Sequence, residues 1–427
     1  MDGEGAVAQL DRCTSLWGLA GFPKFSILSS KSCLKIQRCG RLANVAILRQ
    51  KIEVRPVRTK AEKRIFLTLS KQLHRNEENW IFPLDFDAVN RIDKEKNPFF
   101  EFGEAEFFVA YQEGNPVGRI SAQVNQRHLE CHDNATGHFG YIDACDSPDV
   151  FKALLTAAEQ WLVKRGMRKI VGPFDLSINE ESGLLVDGFD TPPMIAMTHA
   201  CPYHGQHLEA AGYEKVKDLQ AFLVDISDKR NERLDRMLQK SAGSEKITIR
   251  PLNMSRYDEE LEAVMDVFCD AWSENWGFIP FTDSETKHLA KAMKPIIQPE
   301  IALIAEIDGD VAGIMMAAPN INEAIADFDG KLFPFGWAKF LWRLKVKGLK
   351  TGRVMLAGVR KKHHGTMLGM TAFAMLLQRL IENGHQKGYR FGELSWVLED
   401  NKPVQRLLAL GGYQPYKTYR LYEKEIS

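Results

Sequence analysis

The chain repeats itself. "IEVRPV" (52–57) returns as "ITIRPL" (247–252), and "AEFFVAYQEGNPVGRISA" (105–122) returns as "IALIAEIDGDVAGIMMAA" (301–318). Val54 and Ile249 are 195 residues apart, and so are Gly118 and Gly313. Two separated motifs sharing one offset point to duplication. Whatever one half folds into, the other must resemble, and 427 residues is a two-domain length.

Each half reads in the same order. A short β-branched strand ends at Arg-Pro, and helically spaced stretches follow at 60–75 and 258–271. Next comes a hairpin around a glycine-containing turn. Strand-like "HFGYIDACD" and "RVMLAGV" lead into helices. In the first helix Ser147 and Pro148 suit N-cap and N1, and Gly166 ends it. In the second, Met370, Phe373, Leu377 and Leu380 share a face, and Gly384 is placed to close it. Further strands follow at 168–174 and 389–397. Short helices then end in "LEAAGY" (208–213) and "LLALGGY" (407–413), before a final strand pair.

Gly212 and Gly412 are 200 apart, but Gly166 and Gly388 are 222 apart. The first half therefore carries extra residues, which fall in Asn179–His199. The expected organisation is a poorly ordered extension at 1–48, a first domain at 49–226, a polar linker at 227–246 and a second domain at 247–427.

Formal net charge is zero, so no nucleic-acid partner is expected. The seven cysteines include no C-x-x-C pair, which suits free thiols in a reducing, cytoplasmic setting rather than a disulfide frame or a zinc site. No apolar run is long enough to cross a bilayer.

The order of elements resembles the GNAT acyltransferase fold, a mixed, mostly antiparallel sheet flanked by helices (α+β), here in tandem. The last helix carries much of the resemblance. Asn401, Val404, Leu407, Gly412 and Tyr413 in "NKPVQRLLALGGY" match the family's Asn, small, aliphatic and Gly-Phe positions. The family's phosphate loop, Gln/Arg-x-x-Gly-x-Gly/Ala, falls on "RKKHHGTMLG" (360–369). There backbone N–H groups and a helix N-terminus would take the coenzyme A pyrophosphate.

The resemblance puts Lys362, Gly365, Thr366, Met367 and Gly369 at the cofactor site, with Leu356, Ala357 and Val359 on the preceding strand and Asn401 beyond. Met367 stands where the family has a small residue, and Gly369 comes two residues late. The alternative reading is a surface basic turn. A metal site at His363 and His364 is disfavoured: neighbouring side chains diverge, and no carboxylate lies three or four residues on. "DACDSPDVF" occupies the equivalent place in the first half. It has acids and no glycine, so one acyl-CoA site per chain is expected.

A narrower resemblance spans about 50–425. "GPFDLSINEESGLLVDGFDTPPMIAM" and "PYHGQHLEAAGYEKVKDLQAF" are similar to the YghO-like group of duplicated GNAT proteins, which includes bacterial ceramide synthases. One departure is Ala200-Cys201-Pro202-Tyr203-His204, where the group has Asn-Pro-Pro-Tyr-Tyr. The resemblance implies acyl-CoA-dependent N-acylation of a sphingoid-type amine, without a metal. The alternatives are acetylation of a small polar amine or a protein, and a non-catalytic scaffold.

A neutral amine attacking a thioester needs in-line positioning, a base and an oxyanion donor. The backbone around Leu356–Val359 is placed for the thioester carbonyl. Glu180, Glu181, Asp190, Glu393 and Glu399 are the candidate bases. Tyr416 or Tyr419 is the candidate acid for the thiolate, with His199 and Tyr203 as lesser candidates. Separately, Gly330–Lys350 holds five aromatics and six basic residues with no acid. That composition suits peripheral contact with an anionic membrane at the cytoplasmic face.

Overall fold

The computed structural model describes residues 51–132, 134–227 and 246–427. The expected extension at 1–48 and most of the 227–246 junction lie outside the described residues. The two Arg-Pro runs form β1 (Ile52–Pro56) and β10 (Ile247–Pro251), which lie at opposite edges of one sheet. A proline can end an edge strand because its missing N–H removes no ladder bond.

The first half continues through α1 (Lys60–Leu73), α2 (Asp85–Arg91), the hairpin β2 (Gly103–Gln112) and β3 (Asn115–Asn125), α3 (Gln126–His132), β4 (Thr136–Ala144) and α4 (Pro148–Val163). Then come β5 (Lys169–Gly172), short β6 (Phe174–Asp175), β7 (Glu181–Ser182) and β8 (Leu184–Asp187), α5 (Tyr203–Ala210) and β9 (Glu214–Asp225).

The second half follows with α6 (Tyr257–Trp272), α7 (Asp283–Met293), β11 (Ala302–Ile307), β12 (Asp310–Pro319), α8 (Ile321–Ile325), α9 (Gly336–Trp342) and β13 (Thr351–Val359). It ends with α10 (Met367–Gln386), β14 (Phe391–Leu398), α11 (Lys402–Leu410) and β15 (Pro415–Glu425). Capping boxes at Thr59/Glu62 and Thr282/Glu285 start α1 and α7.

The strand order is β1-β2-β3-β4-β5-β15-β9-β14-β13-β12-β11-β10, with β8 also on β15. The last strands are exchanged. β15, from the second half, pairs with β5 of the first, while β9, from the first half, pairs with β14 of the second. β9 and β15 pair with each other at the middle. The boundaries at 226 and 247 divide the chain but not the sheet. Helices cover both faces: α4 and α10 pack on one side of their halves, α1 and α6 on the other.

Two helix details differ from expectation. Gly384 lies inside α10, buried against Ile226, and the terminating positive φ belongs to Gly388 (+83°). Met370 is exposed, so the buried stripe of α10 runs through Leu376, Leu377 and Leu380. Gly412 has φ +83° and ends α11 as its sequence indicates.

Within the second half, β13 runs parallel to β14 only over Thr351–Val354 against Phe391–Leu394. Beyond Val354 it stays with β12 and leaves β14, so the sheet forks. The first half starts the same fork, with Thr136–His138 paired to Lys169–Val171. There the chain's own β6 fills it. A Cβ on Gly140 would collide with the Phe174 carbonyl oxygen, and the Tyr141 N–H donates to Asp175 Oδ1 at 2.8 Å.

Candidate active site

The fork's vertex lies at Val354 and Leu394. Both side chains join the core beneath α10, so the flanking Arg353, Glu393 and Ser395 alternate to the opposite face. Arg353 and Glu393 are register partners, with 3% and no exposure, and Nε–Oε1 is 3.6 Å. Ser395 Oγ donates to Glu393 Oε1 at 2.6 Å and receives Arg353 Nε at 2.7 Å. Arg353 also stacks over the Trp396 ring at 4.9 Å.

The exchanged strand completes the cluster. A register shift between Pro415 and Lys417 leaves Tyr416 as an extra residue against β9. Such a bulge can turn neighbouring side chains toward one face. The Tyr416 hydroxyl donates to Glu393 Oε2. Buried Lys417 donates Nζ to the carbonyls of Gly188 (2.6 Å) and Thr191 (2.7 Å). Burial brings its pKa down to about 8 despite the nearby charges of Glu393 and Asp190. Burial, then the Glu393 charge, pushes the Tyr416 hydroxyl far above an ordinary phenol. Burial also lowers Arg353, partly offset by Glu393.

The extra segment 179–199 roofs this face, and its glycines explain themselves. Gly183 (φ +85°) packs on Tyr419 Cβ, and a Cβ on Gly188 (φ +87°) would strike the Tyr416 carbonyl. β8 follows Gly183 and pairs with Thr418–Arg420 of β15.

The expected bases are dispersed. Glu181 pairs with Arg91, and Glu180 accepts from Asn97 Nδ2 at 3.1 Å. Burial raises Glu180 to about 8 and Asp175 to about 7. Asp190 is exposed on the roof. Glu399 is tied to Lys215 at 2.6 Å and accepts the Asp218 N–H, away from the fork. Only Glu393 and Tyr416 come together at the vertex. Tyr419 is wholly buried nearby, and His199, held neutral by burial and the Lys417 charge, drops to about 4. Tyr203 bonds the Ala144 carbonyl at 2.8 Å, in the first half.

Sequence reasoning missed Arg353, Ser395 and Lys417. The available signals were a lone arginine in "TGRVMLAGV" and a lysine facing inward in "YKTYRLY".

At the far end of β13, the loop 360–366 leads into α10 as expected. Thr366 caps the helix by accepting the Gly369 N–H at 3.1 Å. That leaves the Met367 and Leu368 N–H groups at the helix start without an intrahelical acceptor. Gly365 has φ +69°, with open space where a Cβ would point. The Met367 side chain is 74% exposed, directed away from the packed loop. Gly369 serves packing: a Cβ there would strike the His363 carbonyl.

Several loop cations are already engaged. Arg360 holds Asp266 (2.5 Å) and Lys361 holds Glu274 (2.9 Å), while exposed Lys362 has only Asp310 at 3.7 Å. His364 bonds the Val359 carbonyl, and no group of metal-ligating side chains occurs among the described residues. The Trp272 indole donates to Ala357 O at 2.9 Å, and Leu356 is only partly covered. Asn401 caps α11, accepting the Val404 N–H at 3.4 Å.

No protein-family model matches the chain. It is 44% identical over 376 residues to the bacterial ceramide synthase of Caulobacter vibrioides, covering 88% of this chain and 98% of that one. It is 41% identical over 374 residues to protein YghO of Escherichia coli, covering 87% and 95%. The chain belongs to the YghO-like, bacterial ceramide synthase-like family. Among solved structures, a tandem GNAT protein from the clavulanic acid biosynthesis pathway aligns with TM-score 0.50 and 14% identity, over 88% of this chain and 98% of that one. That likeness establishes the tandem GNAT fold. The YghO-like chain described here is accordingly an acyltransferase.

Proposed function

We propose that the protein transfers a long acyl chain from acyl-CoA to a sphingoid-type amine. The single observation that carries this reading is the forked β13/β14 vertex, with the Glu393–Tyr416 pair at it and with β13 running on into the loop-to-helix turn at 360–366. The turn would hold the pyrophosphate on Met367 and Leu368 N–H groups, with Lys362, loosely paired to Asp310, as the nearby exposed cation. Backbone of β13 beyond Val354, unpaired with β14, would face the thioester carbonyl. The relative named ceramide synthase supports the choice of amine.

In this mechanism Tyr416 is a relay rather than an acid. Its hydroxyl donates to Glu393, so its lone pairs are left to accept a proton from the attacking amine. As the amine nitrogen bonds the acyl carbon, its proton passes to Tyr416 and the Tyr416 proton to Glu393. The carbon–sulfur bond then breaks and CoA leaves as thiolate. A phenol held far above its usual pKa is a poor acid for that thiolate. Incubation with acyl-CoAs and long-chain amino alcohols, read by mass spectrometry, tests the reading; absence of any N-acyl product would refute it.

The same chain would meet an anionic membrane face through 330–350. Phe333 (74%), Phe335 (82%) and Val346 (73%) stand exposed beside Trp337 and Trp342. Asp327 pairs with both Lys339 and Arg343 and offsets one of their two charges, while Lys331, Lys345, Lys347 and Lys350 add to the basic face offered to the lipid surface. No helix of the described residues is long and apolar enough to cross a membrane. Trp337→Ala with Lys345→Glu should lower co-sedimentation with anionic vesicles several-fold; unchanged pelleting would remove the interfacial role.

A further inference from the structure

The roof segment Gly188–Ala196 contains no helix or strand, so its carbonyls need donors from elsewhere. Side chains supply them from four places. Lys417 takes Gly188 O and Thr191 O, and Asn79 Nδ2 takes Phe189 O at 3.0 Å. Asn322 Nδ2 takes Pro193 O (3.1 Å) and Met194 O (3.0 Å). Arg353 Nη1 takes Ile195 O (2.9 Å) and Ala196 O (3.1 Å). A neutral asparagine suffices at two of these points. At the other two the fold places a buried cation, which costs desolvation. Each cation adjoins one member of the reacting pair. Lys417 follows Tyr416 in the bulge, and Arg353 holds Ser395 and pairs with Glu393.

We propose that Lys417 and Arg353 are positioning residues that pin Gly188–Ala196 over the Glu393–Tyr416 pair, and that this pinned segment is the wall against which the acceptor amine is seated. The proposal rests on the amine-acylation reading for its substrate, while the pinning rests on the hydrogen bonds alone. The two ends of the segment are fixed to different strands, β15 at the middle of the sheet and β13 beyond β9 and β14. Pro192 and Pro193 stiffen the span between the pins. The neighbours that face the Lys417 ammonium are the Glu393 and Asp190 carboxylates, the His199 ring and the Tyr416 ring, whose centroid is 5.5 Å away. An amine seated against this wall would feel any loosening of it as weaker binding. Acyl-CoA, held at the other end of β13, would not.

The test uses the full chain. Lys417→Met keeps the bulk and removes the donors; Lys417→Gln, whose amide nitrogen ends one atom short of the lysine Nζ and so falls short of the Gly188 and Thr191 carbonyls, serves if the methionine variant does not fold. Hydrogen–deuterium exchange is followed on peptides covering 188–197, alongside steady-state kinetics with sphinganine and palmitoyl-CoA. The expected result is exchange at least about tenfold faster in that segment alone. With it, KM for the amine rises about tenfold or more while KM for the acyl-CoA stays within about twofold. Unchanged exchange across 188–197, or an acyl-CoA KM that rises as far as the amine KM, overturns the proposal. A wild-type protein that acylates no amine would instead overturn the functional reading, and the exchange result would still judge the pinning.

Discussion

Replacing Arg353 by methionine would strip the Glu393 carboxylate of its buried counter-charge while roughly keeping volume. At 3.6 Å, with both groups almost wholly buried, their attraction at an effective dielectric near 20 is about 5 kcal/mol. Breaking one side of such a pair costs about 3–5 kcal/mol because the remaining charge stays buried. Ser395 and Tyr416 still donate to Glu393, which places the expected cost at the lower end, near 3 kcal/mol.

The Arg353→Met/Glu393→Leu double variant removes both charges and should recover the part of that loss due to the unpaired carboxylate, while the Ile195 and Ala196 carbonyls stay without their donor. Scanning calorimetry at pH 7 on wild type, both single variants and the double variant closes the cycle. The Arg353→Met midpoint should fall by roughly 4 °C, and the double variant should lie above it. A double variant whose loss equals the sum of the two singles would show that the pair is uncoupled and that the cluster does not work as one unit.

Three further outcomes follow from the same geometry. Glu393→Gln and Tyr416→Phe should each lower kcat by about 100-fold or more with acyl-CoA binding by calorimetry unchanged, since both act on the amine's proton; equal loss of acyl-CoA affinity would contradict the relay. Gly369→Ala should weaken acyl-CoA binding at least about tenfold, because the new Cβ displaces the His363 carbonyl and with it the turn before α10, and titration calorimetry reads this directly. Glu180 has a folded pKa near 8 against 4.5 unfolded, so its protonated form contributes stability that is full below about 4.5 and lost as pH rises through 8. Glu180→Gln should therefore match wild type at pH 5 and exceed it by a few degrees in thermal midpoint at pH 9; identical midpoints at both pH values would remove Glu180 as a buried, protonated acid.

The repeated order of strands and helices was legible because it lives in local patterns: Arg-Pro strand ends, hairpin turns at Gly114 and Gly309, and the helix terminator Gly412. The loop-to-helix turn at 360–366 was legible for the same reason. Strand exchange was not. β9 and β15 each carry an alternating pattern that could pair within its own half, and only non-local packing decides otherwise. The cluster at the fork was half legible. Tyr416 and Glu393 draw notice as titratable groups, but Arg353 and Lys417 look like ordinary strand cations until the roof segment supplies carbonyls to bury them. Glu399, attractive by position after β14, is committed to Lys215 on the surface. The acids of the extra segment belong largely to the first half's filled fork, where Arg91 and Asn97 hold them.

The central claim is that a sphingoid-type amine is acylated at the β13/β14 fork. The most direct measurement is mass spectrometry of reactions containing the protein, palmitoyl-CoA or acetyl-CoA, and sphinganine, 3-oxosphinganine or a small polar amine, run beside Glu393→Gln. The account predicts an N-palmitoyl product with the long-chain amines that falls sharply in Glu393→Gln. Product from acetyl-CoA alone, or product undiminished in Glu393→Gln, would contradict it.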